Sequence, residues 1–457
     1  MTTDRASGAR KSMYALGDHT VNLVLSAASL LYFKFLMDHG GLSPLLAGLV
    51  VWIARIVDAF TDPAMGRISD NTRWRAGRRR PYFLIGALPF GLLFALMWLT
   101  VPFESQLERF AYYSTVYVGV TLAMTCLSVP YLALLPEMAT DYDERTSFNT
   151  FRSAAAVLGT LAAVAMKSVS DALGGDAQAW TQTAAIAAVW ITLPWLAVYA
   201  ASFERPDYQN RNRVSFLAGA RAVARHSAFR ILALLYILAR IAVDLIGAMF
   251  LLYFAYWIGR DEDFAPTLGM FLLVVFAVLP VWLALSRRFD KKSIFIFGTA
   301  WWSLTQAAVF LVQPDWPRWL IFTIPALAAI GYAVADLMPW AMLGDVIDED
   351  ELATGERREG IYVGFFMLLR KVGGAAAVLA IGAILELVGF AANTPRSEQS
   401  PMALQAIRVL TSLAPMVLLL ASIAIATRYP LTRGRHSQIL EGLRARREAE
   451  RGPQPAS

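Results

Sequence analysis

The sequence predicts an all-α membrane protein of twelve transmembrane helices, built as two six-helix halves with both termini cytoplasmic. Three observations carry that reading. Of 457 residues, 57% are hydrophobic and 17% charged, against roughly 45–50% and about 25% in soluble domains. The apolar residues fall in blocks: stretches 81–101, 184–203 and 402–427 carry almost no charge over the ~20 residues a helix needs to cross a bilayer. Positive charge also alternates between successive loops, which sets the orientation.

Taken in order, the spans are 13–37, 43–66, 82–102, 110–138, 148–170, 179–203, 229–258, 264–286, 293–313, 317–346, 359–390 and 403–427. Tilt accommodates the longer ones. The segments before span 1 and after each even-numbered span hold Arg5, Arg10, Lys11, then the arginines of 67–80, Arg145, those of 205–225, the basic residues of 287–292, Arg357, Arg358 and the arginine-rich tail. The opposite segments offer Arg109, Arg260, Arg318 and Arg396, with Lys34 and Lys167 near span ends. Basic loops stay on the cytoplasmic side. The pI of 9.4 then needs no nucleic acid, and the basic tail reads as a solvated helix end.

The longest interior polar stretch, 204–228, separates an N-terminal half, 1–203, from a C-terminal half, 229–427, and leaves 428–457 as a basic cytoplasmic tail. Phe216, Leu217, Ala220 and Val223 recur in that linker at helical spacing, which suits a helix lying on the membrane surface. Two six-span halves are the arrangement of many secondary transporters, with the binding site near the midplane. Residues 1–12 are polar and lead into span 1 without a clear cleavage site, so the N-terminus is read as retained.

Other classes lack their chemistry. The single cysteine, Cys126, allows no intramolecular disulfide, and the four histidines lie far apart. No GxxxxGK[ST], HExxH or GxSxG string occurs, so nucleotide-driven pumping and common hydrolase chemistry lack their residues. No enzyme activity and no cofactor are expected. The competing classes are a membrane-embedded lipid enzyme, for which the His-poor, Cys-poor interior offers no obvious nucleophile–base pair or metal ligands, and a non-transporting scaffold, which has no use for charges at midplane.

Those charges are the informative residues. Span 2 reads VVWIARIVDAFTDPAMG, with Arg55, Asp58 and Asp62 on one helical face. Each ionised group inside the bilayer costs at least roughly 2.5–3.5 kcal/mol. Two carboxylates ~6 Å apart repel by about 3 kcal/mol at an effective dielectric near 20, so the pair favours capturing a proton or a small cation. Pro63 follows Asp62 and frees a backbone carbonyl there. Lys371 lies well inside span 11 before Gly373 and Gly374, with Arg370 about 100° away around the helix. A buried lysine calls for an acid, and Asp58 or Asp62 is the natural partner. Tyr14, Asp18 and Asn22 share a stripe of span 1 beside His19. Thr125 and Ser128 lie one turn apart in span 4, Arg152 opens span 5, Arg240 and Asp244 fall in span 7 and Asp336 in span 10. Asp18, His19 and Arg152 are placed at the headgroup level, where charge stays solvated.

Residues 58–81, DAFTDPAMGRISDNTRWRAGRRRP, resemble the glycoside–pentoside–hexuronide:cation symporter family of the major facilitator superfamily. The loop carrying Gly66, Asp70 and Gly77 to Pro81 is similar to the superfamily signature between spans 2 and 3, and the DxxxDP before it narrows the match. Residues 129–152, residues 339–360 and Lys371 agree with it, so the resemblance runs from Met13 to Arg433. It implies the major facilitator fold and a cation-coupled symporter of a glycoside, sugar acid or other carbohydrate. It also implies that Asp58, Asp62 and Thr125 hold the coupling ion, sodium or proton, that Lys371 matches the span 11 lysine, and that Arg152 lines the substrate cavity. Asn22 and Ser128 stand where the melibiose permease has sugar-gripping acids, Thr61 where it has an asparagine, and Leu132 where it has a tryptophan. Those departures keep an amphiphile such as a lysolipid as the alternative substrate.

The expected site therefore comprises Asp58, Asp62, Thr61 and Thr125 for the cation and Lys371 with Arg55 for coupling. Asn22, Asp18, Ser128, Arg152 and Asp336 are expected to hold the substrate. Gly66, Asp70, Arg78, Arg79 and Arg80, and Asp345 (with Asp348 and Glu351) facing Arg357 and Arg358, form the expected cytoplasmic gate. The partners are a small solute and membrane lipid, and the functional unit is a monomer. Six lysines against 35 arginines suit a high-GC bacterium and its inner membrane.

Overall fold

The computed structural model describes residues 6–75, 77–139, 142–204, 223, 225–286, 288–356, 358–392 and 394–451. Among these residues all regular structure is helical. In order, α1 is Gly8–Asp38, α2 Pro44–Asn71, α3 Pro81–Met97, α4 Gln106–Met138, α5 Tyr142–Ala172 and α6 Ala177–Ala201. Then come α7 Ser227–Ile258, α8 Phe264–Ser286, α9 Lys291–Leu311, α10 Arg318–Thr354, α11 Glu359–Leu387, α12 Pro401–Ala426 and α13 Arg433–Arg451. Among the described residues, eleven helices are long and apolar enough to cross a membrane, and α3 is a shorter apolar helix of 17 residues. Most of the central linker, including Phe216, Leu217 and Ala220, and Arg357 lie outside the described residues.

Local chemistry sets the helix ends. Ser7, Ser43, Ser105 and Asp176 accept backbone N–H groups at the starts of α1, α2, α4 and α6, satisfying donors that a helix leaves open. Pro44 and Pro81 take first-turn positions, where the missing N–H costs nothing. Pro63 sits inside α2 without ending it. α10 stops at Gly355, whose φ of 77° is the left-handed conformation glycine adopts without strain.

The chain divides into two compact units. The first contains the described residues within Met1–Asn212, Gly247–Pro266 and Ala375–Ile407, and the second those within Arg213–Ile246, Thr267–Gly374 and Arg408–Ser457. In the first, α1 lies along α5, and α4 packs on both α2 and α3. Gly159 of α5 is seated on the His19 carbonyl so closely that a Cβ would meet it. The C-terminal part of α11, from Ala375, belongs to this unit too. A Cβ on Gly382 would strike the Pro44 carbonyl, and one on Gly48 would lie 3.0 Å from the Val378 oxygen. Glu386 accepts the Leu45 N–H at 3.2 Å, and Lys167 reaches Asp261 at 3.2 Å. The Gly48, Gly382 and Glu386 contacts draw the start of α2 and the end of α11 together.

In the second unit, α9 is held between α10 and α12 around buried Phe295 and Trp302. The basic tail differs from its solvated reading. α13 buries Ile439 and Leu443, each 5% exposed, in the core of this unit, because its apolar residues recur at helical spacing.

Replacing Gly159 with alanine should force α1 and α5 apart, at a cost of about 1–3 kcal/mol. A lowered melting temperature of the detergent-purified protein checks this, and an unchanged one would show that the seam relaxes freely.

Candidate functional site

α2 and α4 run side by side in the first unit, and the polar residues of α2 meet a hydroxyl stripe of α4. Thr125 Oγ1 lies 3.0 Å from Asp58 Oδ1 and 2.9 Å from Asp62 Oδ1. Asp58 is 5% exposed, Thr125 2%, and Asp62 is half-buried. Two turns earlier on α4, buried Tyr117 lies near Arg55. The spacing of Arg55, Asp58 and Asp62 on one helix is thus matched by Tyr117 and Thr125 on its neighbour. The Thr61 hydroxyl bonds its own helix at the Asp58 carbonyl, 3.3 Å away.

A second network joins α1, α4 and α5. Arg152 holds Asp18 through two bonds, Nε to Oδ2 at 2.5 Å and Nη2 to Oδ1 at 3.1 Å. Tyr131 donates to the same Asp18 Oδ2 at 2.6 Å and lies under the Arg152 guanidinium. Tyr14 and Tyr131 stack at 4.5 Å, and each hydroxyl bonds the other's backbone carbonyl. Both charged side chains are 16% exposed. Asp18 and Arg152 are therefore not solvated at the headgroup level as the sequence suggested. They neutralise each other inside the unit. His19 is 8% exposed and accepts a hydrogen bond from Trp190. Asn22 donates to the Asp18 carbonyl of its own helix, and Ser128 is half-buried.

At the ends of α2 and α3, Arg79 bonds Asp70 at 2.6 Å, Glu137 at 2.6 Å and the Ala133 carbonyl at 2.6 Å. Arg78 also pairs with Glu137. Arg80 instead donates to the Tyr199 carbonyl and covers the Tyr199 ring. Glu204 accepts the backbone N–H groups of Arg78, Arg79 and Arg80, placing its charge at the positive end of α3. Gly77, at φ 109°, turns those N–H groups inward. Gly66 keeps open space for a side chain apart from Val129 at 3.8 Å. Glu137 and Glu204 were missed by sequence reasoning. The available signal was an acid at the end of one span and another just past a later one, both on the basic side of the chain with the RRR run.

The second unit holds Arg240, Asp244 and Asp336 together. Arg240 grips Asp244 at 2.7 and 3.2 Å and reaches Asp336 at 3.4 Å. Lys371 lies on α11 in this unit, half-buried. Asp345 pairs with Lys291 at 2.6 Å and His436 at 3.4 Å rather than with Arg358, while Arg357 lies outside the described residues. Arg358 turns instead to Asp350 and Glu356. Five residues along a helix is about 140° of rotation, so Asp345 and Asp350 meet different neighbours.

Comparison with known proteins agrees with this architecture. Residues 13–433 match the MFS/sugar transport protein family. The chain belongs to that family. It is 30% identical to an uncharacterized symporter, sll1374, of Synechocystis, over 96% of this chain and 97% of the relative. The putative glycoside/cation symporter YagG of Escherichia coli is 28% identical, over 96% and 95%. The sodium-dependent lysophosphatidylcholine symporter 1-A of Danio rerio is 26% identical, over 92% and 85%. In fold, the chain resembles a bacterial homologue of the human lysosomal transporter Spinster in an inward-facing, unoccupied conformation, with a TM-score of 0.71 at 13% identity over 96% and 99% of the two chains. This is a multi-pass transporter of the inner membrane, with the helical facilitator architecture of its family.

Asp18→Asn would leave the Arg152 charge half-matched in a largely buried place, which costs about 3–5 kcal/mol for a fully buried pair and less here. The melting temperature should fall further for Asp18→Asn than for the double change Asp18→Asn with Arg152→Gln. Equal or additive losses would mean the pair is not coupled.

Proposed function

We propose that this chain is a proton-coupled symporter that moves a small carbohydrate, such as a glycoside or sugar acid, by alternating access. The observation that carries the reading is the single Thr125 hydroxyl set between two carboxylates. A hydroxyl donates one hydrogen, so it serves one acid, and a proton on the second carboxyl would let that group donate back to Thr125 Oγ1. Thr61 bonds its own helix, which leaves fewer oxygens for sodium and favours the proton. Lys371 and Arg55 complete the coupling set, Arg152 and Asp18 border the substrate path, and the protein works as a monomer without a cofactor.

The names of the relatives support symport, and the glycoside symporter supports a carbohydrate. The lysophosphatidylcholine symporter supports a second reading, an amphiphile, because Asn22 and Ser128 offer the first unit no sugar-gripping acid. We read α3 as the twelfth span and both termini as cytoplasmic, with halves 1–203 and 229–427 rocking about the site. On that topology the α2–α11 seam is the outer face, shut. The arginine cluster at Asp70 and Glu137, and the Lys291–Asp345 pair, are the cytoplasmic contacts that change in the opposite state.

In proteoliposomes, an inward proton gradient should drive accumulation of a glycoside. Asp58→Asn and Asp62→Asn should each reduce that accumulation at least tenfold while the protein still inserts and folds. Accumulation driven by sodium alone would overturn the proton assignment, and wild-type accumulation in both variants would remove the pair from coupling. A further expectation concerns the seam. Gly382→Val should hold the outer face open and raise labelling of Asn22→Cys from outside, in a Cys126→Ala background. Labelling that stays at the background level would show that the seam is not the gate.

A further inference from the structure

The second unit carries charged and aromatic side chains on one face of α10 that the coupling reading leaves unused. Tyr332, Asp336 and Trp340 follow one another at four-residue steps and are all half-buried, so they form one stripe. Leu327, 40% exposed, lies about 180° around the same helix, on the side suited to lipid. A carboxylate turned toward hydrocarbon would be costly. The exposed part of Asp336, 43% of its side chain, therefore faces water within the protein.

The neighbours of Asp336 leave it able to bind. Arg240 is committed to Asp244, 3% exposed, through a two-pronged contact at 2.7 and 3.2 Å. That pair is neutral. Only the remaining guanidinium nitrogen reaches Asp336, at 3.4 Å. The result is a carboxylate acceptor beside an N–H donor. One turn away, Trp340 is braced by Phe366 at 5.1 Å and Tyr236 at 6.1 Å, both nearly perpendicular to it, and Tyr236 stacks on Phe366 at 3.9 Å. A rigid aromatic ring next to a donor–acceptor pair is what a sugar needs, since adjacent hydroxyls both donate and accept while the ring's C–H face lies on an aromatic surface.

We infer that Asp336, Arg240 and Trp340 form the sugar-recognition subsite of this transporter, on α7 and α10 of the second unit. The inference rests on the carbohydrate reading proposed above and adds where selectivity resides. It also accounts for the first unit, where Leu132, Asn22 and Ser128 supply neither an aromatic surface nor an acid. A quaternary ammonium would use the Asp336 charge and the Trp340 ring, but it has no hydrogen-bonding group and so leaves the donor–acceptor pair of Arg240 and Asp336 unmatched.

Counterflow in proteoliposomes tests the subsite apart from coupling, since it needs no gradient. The probes are methyl β-xyloside, methyl α-galactoside, methyl β-glucuronide and lysophosphatidylcholine. For whichever sugar the wild type exchanges, Asp336→Asn and Trp340→Ala should raise the KM about tenfold or more. Trp340→Phe should recover most of the loss, and all three variants should elute as monodisperse protein. Asp62→Asn is read for gradient-driven accumulation alone, which tests the coupling reading separately from the subsite. If Asp62→Asn accumulates sugar normally, the coupling reading fails and the subsite stands. An unchanged sugar KM in both Asp336→Asn and Trp340→Ala overturns the subsite. So does a wild type that exchanges lysophosphatidylcholine and no sugar, whatever the variants do.

Discussion

Hydrocarbon cannot solvate a charge, so every ionised side chain inside this protein must be answered by another group of the fold. The cost of leaving one unanswered, several kcal/mol, is comparable to the net stability of a whole domain. Asp18 is answered by Arg152 and Tyr131, and Arg240 by Asp244, each inside one unit. Asp58 and Asp62 share the Thr125 hydroxyl. In the coupling proposed above, that shared hydroxyl is where the cation acts.

The same constraint explains where rigidity and adaptability lie. Around Asp18 the bonds are short and reciprocal, and Tyr14 and Tyr131 lock α1 to α4 through each other's backbone. Around Asp336 the single contact is long, and much of the carboxylate stays open. A saturated network resists change, whereas an unsaturated one can exchange a protein contact for a ligand contact at little net cost.

An internal likeness between the two units emerges from the helix ends. In the first, Arg79 donates to the Ala133 carbonyl and pairs with Glu137. In the second, Lys291 donates to the Ala341 carbonyl and pairs with Asp345. In both, a cation reaches from one helix end to a carbonyl and to the acid four residues further on. The residues differ in type, arginine for lysine and glutamate for aspartate, so comparing letters does not reveal the repeat. The geometry repeats because one turn of helix sets a carbonyl and the following acid on the same face.

Hydrophobic blocks by themselves determined that the chain crosses a membrane as helices, and helical periodicity determined that Arg55, Asp58 and Asp62 share a face. The motif around them led to the family. Periodicity gives an angle about one axis and says nothing of which helix stands opposite. Tertiary structure therefore decided that Thr125 bridges both acids, that Asp18 meets Arg152 instead of water, and that Glu137 and Glu204 receive the arginine run. It also decided that Asp345 turns to Lys291 and His436, and that the tail helix is docked through Ile439 and Leu443. Each of these depends on helices distant in sequence coming within about 3–4 Å, the range over which hydrogen bonds and apolar contacts act, and that proximity is a property of the packed bundle alone.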